Sequence, residues 1–143
     1  MSQKAHANEV ANLVAVAPAW AHARGDVEAI ALVGSWARQA ARDDSDVDLV
    51  ILTNDPPLYI KSEEWAADFG VVRFVETALW GPVTERRGVT ESGLEIEFGI
   101  ASPAWASTEP ADSGTLRVAS DGLRILYDRT GRLAKLVDLV ASN

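Results

Sequence analysis

The stretch "ALVGSWARQAARDDSDVDLVIL", residues 31–52, decides the fold class and raises the question of function. Its first apolar run ends at Gly34-Ser35, and its second begins with Asp46 and Asp48. Aliphatic side chains flank both aspartates, as in a strand that is buried in a sheet. Buried carboxylates are costly unless a cation compensates them. The stretch therefore predicts a strand that needs a positive charge near its beginning.

Periodicity and turn residues predict helices elsewhere in the chain. The pattern over residues 8–22 predicts an amphipathic helix that bends or ends at Pro18. A second helix is expected from Ser62 as N-cap to Gly70 as terminator. Residues 35–42 contain helix formers for two turns. A C-terminal helix is expected within residues 129–142.

Alternating and apolar runs predict strands over residues 27–35, 45–53, 71–80, 83–102 and 123–128. Turns near Gly81-Pro82 and Ser92-Gly93 separate the middle ones. Strands mixed with helices indicate the α/β (α+β) class. We expect a small mixed sheet with helices mainly on one side, in a single domain over residues 1–143.

Composition narrows the class of protein. The 143 residues carry a formal net charge of −8 and contain no cysteine, which excludes disulfides and thiolate metal sites. An acidic chain is not expected to bind nucleic acid generally, because such proteins display basic stripes. The N-terminus has no signal-peptide pattern, and no apolar run is long enough to span a membrane. We expect a cytoplasmic location.

The spacing of the two aspartates indicates metal chemistry. Residues two apart in a strand share a face, so Asp46 and Asp48 project together. Their mutual repulsion is relieved by a divalent cation, and oxygen ligands favour Mg²⁺ or Mn²⁺. Upstream, Gly34-Ser35 lies where a strand leads into a helix, a place where backbone N–H groups cradle phosphates. Together these features suggest a metal-bound nucleoside triphosphate.

The motif resembles the signature of the DNA polymerase-β-like nucleotidyltransferase superfamily and its minimal nucleotidyltransferases. Here it reads Val33-Gly34-Ser35, ten intervening residues, then "DVDL", within "GSWARQ" and "SDVDL". The family pattern has a third carboxylate on a later strand. The segment "GLEIEFGI" offers Glu95 and Glu97, and the family's apolar-Asp-Phe-Gly maps it onto Glu97. Both stay open as the third carboxylate.

The resemblance implies two-metal transfer of a nucleoside monophosphate, AMP from ATP, to a hydroxyl of a small molecule or a protein. It implies that Asp46, Asp48 and Glu97 hold the metals and that Glu97 acts as base. Gly34 and Ser35, with Arg38, would bind the phosphates. An alternative is an antitoxin-type module that binds or adenylylates a HEPN-domain toxin. Another is a degenerate member that binds nucleotide without turnover, since Gln39 and Glu97 depart from the family pattern.

Ordinary structural roles compete for several of these residues. The two aspartates also suit turn chemistry, and Arg38 suits an exposed helix face. Glu95 fits the solvated face of an amphipathic strand. Arg86 and Arg87 fit a solvated edge or a salt-bridge pair better than a phosphate site. Trp36, beside the Gly-Ser turn, is the one tryptophan that we consider for stacking on a base.

Overall fold

The chain forms a six-stranded mixed sheet that carries helices on both faces. A computed structural model describes residues 3–42 and 45–142, with side chains from residue 6 onward. The helices are α1 (Gln3–His22), α2 (Gly34–Ala37), α3 (Pro56–Lys61), α4 (Ser113–Asp121) and α5 (Arg132–Ala141). The strands are β1 (Val27–Val33), β2 (Val47–Thr53), β3 (Val71–Trp80), β4 (Val83–Thr90), β5 (Glu95–Ala101) and β6 (Leu123–Asp128). Short 3-10 helices cover Glu64–Phe69 and Pro103–Ala106.

The strands lie in the order β3-β4-β5-β2-β1-β6. Only β2 and β5 are parallel, and the other neighbours are antiparallel. The β1–β2 register places Val33 opposite Asp48, and the β2–β5 register places Asp48 beside Glu97. The β4–β5 register places Arg87 opposite Glu97. Pairing between neighbouring strands therefore brings charged residues from three strands to one place.

One face of the sheet packs against α1 and the segment around the first 3-10 helix. Every second residue of the central strands points into this core, including Ile30, Leu32, Leu49, Ile51 and Phe98. From α1 come Val10, Leu13, Ala17 and Trp20. Aromatic rings close the core below β4 and β5, where Trp65 lies edge-on to Phe98 at 4.9 Å between centroids. Side chains fill this face beneath β4 and β5, whereas a cavity of about 510 Å³ lies between α1 and β6.

The opposite face packs against α4 and α5 over only part of its width. Its core contains small strand residues and helix residues, namely Ala29, Ala31, Val33, Val50, Leu52, Ala101, Ala119, Leu133 and Leu136. The predicted mixed α/β class is confirmed. The helices are divided more evenly between the faces than the expectation of one main side, because α4 and α5 bury this second core. Toward β4 and β5 the same face carries carboxylates instead of apolar side chains.

All five predicted strands are present, and the run over residues 83–102 forms β4 and β5. The predicted C-terminal helix is also present. In α1 the helix runs through Pro18 to His22, so the proline does not end it. No helix in the described part of the chain is long and apolar enough to cross a lipid bilayer.

The predictions for the second helix and for residues 35–42 were partly wrong. Ser62 follows α3 as its C-cap and does not begin a helix, because Pro56 and Pro57 start the helix earlier. Gly70 does terminate the following 3-10 helix, in a left-handed conformation. The helix α2 has one turn and not two, since Gln39 adopts a positive φ of 57° just beyond it.

Candidate active site

The turn after β1 brings the backbone of Gly34 against the carboxylate of Asp48 in β2. Gly34 has a φ of 75°, a left-handed conformation that favours glycine. A Cβ at this position would overlap Oδ2 of Asp48 and lie 3.2 Å from its Cγ. Ser35 follows, half-buried in α2. The two halves of the sequence motif therefore touch in space, because β1 ends opposite the beginning of β2.

The three carboxylates predicted for metal binding lie together on one face of the sheet. Asp48 and Glu97 are neighbours in the parallel β2–β5 pair, and both are half-buried. Asp46 precedes β2 and shares with Glu97 an ion-pair partner on β4. Glu95 lies two residues before Glu97 on the same face and is more exposed, with 41% of its side chain accessible against 24%. This geometry favours Glu97 as the partner of Asp48.

Arg87 lies in the middle of this cluster. Its guanidinium is 3.1 Å from Asp46, 3.2 Å from Glu97 and 3.5 Å from Glu95. Burial lowers the pKa of Arg87, but these carboxylates outweigh burial and raise it above the ordinary value. The sequence-based preference for a salt-bridge role over a phosphate site agrees with these contacts.

Arg86 points to the other face, and it is not on a solvated edge. It is 5% exposed and donates hydrogen bonds to the backbone oxygens of Tyr59 and Ser62. Its guanidinium also lies 4.0 Å from the ring centroid of Phe74. Arg86 therefore connects β4 to the α3 segment as a structural residue.

The carboxylates hold more negative charge than the protein compensates. Burial is the largest cause that raises the pKa of Asp48 to about 7, and the charges of Glu97 and Asp46 add to it. A hydrogen bond to Glu97, followed by burial, raises the pKa of Glu85 to about 7 as well. Arg87 opposes both shifts without cancelling them. Near neutral pH this part of the sheet is therefore poised to take up a cation or a proton.

A cavity of about 310 Å³ lies between these carboxylates, α4 and the tip of the β3–β4 hairpin. All charged side chains among its described lining residues are acidic: Asp48, Glu85, Glu97 and Asp112. Two indoles, Trp80 and Trp105, line it together with aliphatic side chains. Its size and its mixture of apolar walls and convergent carboxylates are typical of small-molecule sites.

Four of these lining residues were not singled out in the sequence: Glu85, Asp112, Trp80 and Trp105. Glu85 lies in an alternating strand pattern that looks like an ordinary solvated face, and its contribution depends on the pairing of β4 with β5. Trp80 is 64% exposed at the hairpin tip, which no local signal indicates.

Trp36 supports the loop that leads to the aspartates. Its ring packs against the core, and its indole Nε1 donates a hydrogen bond to the backbone oxygen of Ser45 at 3.3 Å. The Ser45 hydroxyl in turn accepts a hydrogen bond from the backbone N–H of Arg42 at 2.7 Å. Trp36 is half-buried and holds the residue before Asp46 through the hydrogen bond from Nε1.

Arg38 lies outside the cavity lining. Its side chain is exposed and passes Gly122, where an added Cβ would be 3.3 Å from Cβ of Arg38. Its backbone N–H donates to the carbonyl of Gly34 and closes the single turn of α2. The structure thus places the Gly34-Ser35 turn against Asp48, whereas Arg38 is exposed and does not line the cavity.

The carboxylates suit a divalent ion by their chemistry. Their oxygens are the ligands that Mg²⁺ and Mn²⁺ prefer, and burial together with the charges of Glu97 and Asp46 raises the pKa of Asp48. Within residues 3–42 and 45–142, no three His, Cys, Asp or Glu side chains are placed so that they could hold a metal ion together. The Arg87 guanidinium lies among the carboxylates, in contact with Asp46 and Glu97.

The family model of the nucleotidyltransferase domain matches residues 17–95, just over half of the chain. The match includes Gly34, Ser35, Asp46 and Asp48 and ends before Glu97. No curated protein matches the chain significantly.

Thirteen chains of solved structures match. One is a cytoplasmic RNA terminal U-transferase, with 18% identity, a TM-score of 0.44 and 84% of this chain covered. Another is the Cid1 poly(U) polymerase, with 16% identity, a TM-score of 0.43 and 82% covered. This chain covers only 34% of the length of each. By the family match, the chain belongs to the nucleotidyltransferase domain family.

Proposed function

We propose that the chain transfers a nucleoside monophosphate, AMP from ATP, to a hydroxyl group of a small molecule or a protein. The observation that carries this proposal is the contact of Gly34 with Asp48, beside Glu97 and at the wall of the cavity. Family membership supports nucleotide transfer in general. The choice of ATP and of the acceptor goes beyond the family and is our own.

Asp46, Asp48 and Glu97 are the residues that we assign to metal binding. A divalent ion held there supplies charge stabilisation for the phosphate oxygens and the leaving pyrophosphate. Burial is the largest cause of the raised pKa of Asp48, and the charges of Glu97 and Asp46 add to it. A bound divalent ion would offset both, because it stabilises the ionised carboxylate.

We assign the triphosphate to the turn at Gly34 and Ser35. The absence of a side chain at Gly34 lets a phosphate approach the backbone next to Asp48. The Ser35 hydroxyl would donate a hydrogen bond to a phosphate oxygen, and Arg38 would reach the outer phosphates from the rim.

Glu97 is the base that we propose for the acceptor. Its carboxylate accepts the proton of the acceptor hydroxyl, whose oxygen forms a bond to the α-phosphorus. The bond between the α-phosphorus and the bridging oxygen breaks, and pyrophosphate leaves. Glu85 shares a hydrogen bond with Glu97 and is placed to keep that carboxylate oriented.

A second candidate function is the antitoxin-type module that binds or adenylylates a HEPN-domain toxin. The observation that favours it is a group of exposed apolar side chains on the edge strand β3: Val72, Val75, Leu79 and Trp80. Exposed apolar patches on an edge strand mark interaction surfaces.

The first experiment measures nucleotide binding by calorimetry, with a non-hydrolysable ATP analogue and Mg²⁺. We expect metal-dependent binding that the double variant Asp46→Asn/Asp48→Asn loses. Asp68→Asn, an exposed aspartate on the other side of the fold, is the matched control and should bind like the wild type. Binding that survives in the double variant contradicts the site assignment.

The second experiment follows transfer from ATP, GTP, CTP and UTP that are radiolabelled at the α-phosphate. Acceptors are hydroxyl-bearing small molecules and a HEPN-domain protein in parallel. Labelling of the HEPN-domain protein alone selects the antitoxin function, whereas labelling of a small molecule selects transfer to a small-molecule hydroxyl. Binding of the nucleotide without any transfer identifies a degenerate member.

A further inference from the structure

Arg87 occupies a position that the proposed reaction does not use. It is the only basic residue among the described residues that line the 310 Å³ cavity or the adjoining one of about 220 Å³. The lining of the two cavities also includes Asp48, Glu76, Glu85 and Glu97, all acidic. One guanidinium therefore faces a surplus of carboxylates on this part of the sheet.

Its contacts include two of the three proposed metal ligands. Arg87 lies 3.1 Å from Asp46 Oδ2 and 3.2 Å from Glu97 Oε2. A divalent ion bound to the same carboxylates would lie within a few ångströms of the guanidinium. Two cations at such a distance repel each other strongly in a partly buried site. Binding of the ion and the present position of Arg87 are therefore opposed.

We propose that Arg87 is an internal counter-cation that holds the carboxylates in place and gives way when a divalent ion binds. This inference rests on the metal site of the proposed function. Arg87 is a positioning residue in it and touches neither nucleotide nor acceptor. Glu95 retains Arg87 after the exchange, because it contacts the guanidinium at 3.5 Å and is not one of the proposed ligands.

The test measures Mn²⁺ binding by calorimetry to the full chain, without nucleotide and at low salt. Arg87→Gln removes the competing charge, so we expect the dissociation constant for Mn²⁺ to fall about three- to tenfold. Arg117→Gln removes the same charge from an exposed position on α4 and should change the constant less than about twofold. Arg87→Lys keeps the charge, so its dissociation constant for Mn²⁺ should be closer to that of the wild type than the constant of Arg87→Gln.

The outcomes separate this inference from the proposed function. Weaker Mn²⁺ binding by Arg87→Gln, with a native circular dichroism spectrum, means that Arg87 supports the ligands without competing, and it overturns the inference. Equal Mn²⁺ binding by the wild type and Arg87→Gln overturns the inference too, while the metal site stands. If neither protein binds Mn²⁺, the metal site of the proposed function fails. If Arg87→Gln misfolds, Arg87→Met is the second variant that removes the charge, and Mn²⁺ binding no tighter than in the wild type overturns the inference.

Discussion

Gly34 and Asp48 are packed so closely that residue 34 has no room for a Cβ beside the Asp48 carboxylate. Gly34 ends a strand, and Asp48 lies near the beginning of the next. The antiparallel pairing of β1 with β2 produces this contact, since it places Val33 opposite Asp48. The proposed phosphate turn and the proposed metal site are therefore two parts of one surface.

Gly34→Ala should lose both stability and nucleotide binding. Alanine at a φ of 75° is strained, and its Cβ would overlap the Asp48 carboxylate. We expect a loss of about 1–3 kcal/mol in the free energy of unfolding. Denaturant unfolding and analogue calorimetry measure the two effects.

Gly131→Ala is the matched control, with a φ of 79° and no atom within 4 Å of an added Cβ. Gly131→Ala therefore introduces the backbone strain without a steric overlap. An equal loss of stability in both variants would show that the overlap with Asp48 contributes nothing.

Asp48 makes the metal-free protein less stable as the pH rises. Its pKa increases from 3.8 to about 7 on folding, so the folded state binds the proton more tightly than the unfolded chain. Stability from this group is complete below pH 3.8 and declines until about pH 7. Asp48→Asn should flatten this slope and be more stable than the wild type at neutral pH, by roughly 1–3 kcal/mol.

Urea unfolding across this pH range, with a chelator present, measures the effect. Asp68→Asn should leave the slope unchanged. A wild type that gains stability between pH 4 and 7 relative to Asp48→Asn would contradict the raised pKa.

Glu97→Gln and Glu95→Gln distinguish the two candidates for the third carboxylate. Glu97 pairs with Asp48 across β2 and β5 and lines the cavity, whereas Glu95 is more exposed and does not line it. We expect transfer to fall at least about a hundredfold in Glu97→Gln and only a few-fold in Glu95→Gln. Steady-state transfer assays give both values, and the reverse order would assign the role to Glu95.

Trp36→Phe should weaken the site while leaving the fold intact. It keeps a ring in the core and removes the hydrogen bond from Nε1 to the backbone oxygen of Ser45. Loss of such a bond costs about 0.5–1.5 kcal/mol. Because Ser45 precedes Asp46, we expect KM for the nucleotide to rise with little change in melting temperature. A large fall in melting temperature with unchanged KM would mean that Trp36 has only a packing role.

Arg86→Met should destabilise the fold, in contrast to Arg87→Gln. Arg86 is buried and donates to the carbonyls of Tyr59 and Ser62, which lose their partner in the variant. We expect a loss of about 2–4 kcal/mol in the free energy of unfolding. Chemical denaturation checks this value, and a stability close to that of the wild type would show that water replaces the guanidinium.

Local patterns predicted most of the sheet. Apolar runs indicated β1 and β2, which are buried along almost their whole length. Alternation and turn residues indicated half-buried strands such as β4, whose period of two is visible in the sequence. Helices were harder to predict. No helix was predicted over residues 113–121, where Ser, Gly and Thr are weak helix formers. That helix depends on the Asp112 carboxylate, which accepts from the N–H groups of Gly114 and Thr115, and on packing against the sheet.

The sequence by itself determined the family and the candidate residues Gly34, Ser35, Asp46 and Asp48, because their chemistry depends on residue type and short spacing. Tertiary structure alone decided that Glu97 lies beside Asp48 and that Glu85 and Arg87 join them. Those relationships depend on pairing between β2, β5 and β4, which are distant in the chain. The balance of charge at the site is therefore a property of the assembled sheet, since no single segment contains both the carboxylates and the guanidinium that compensates them.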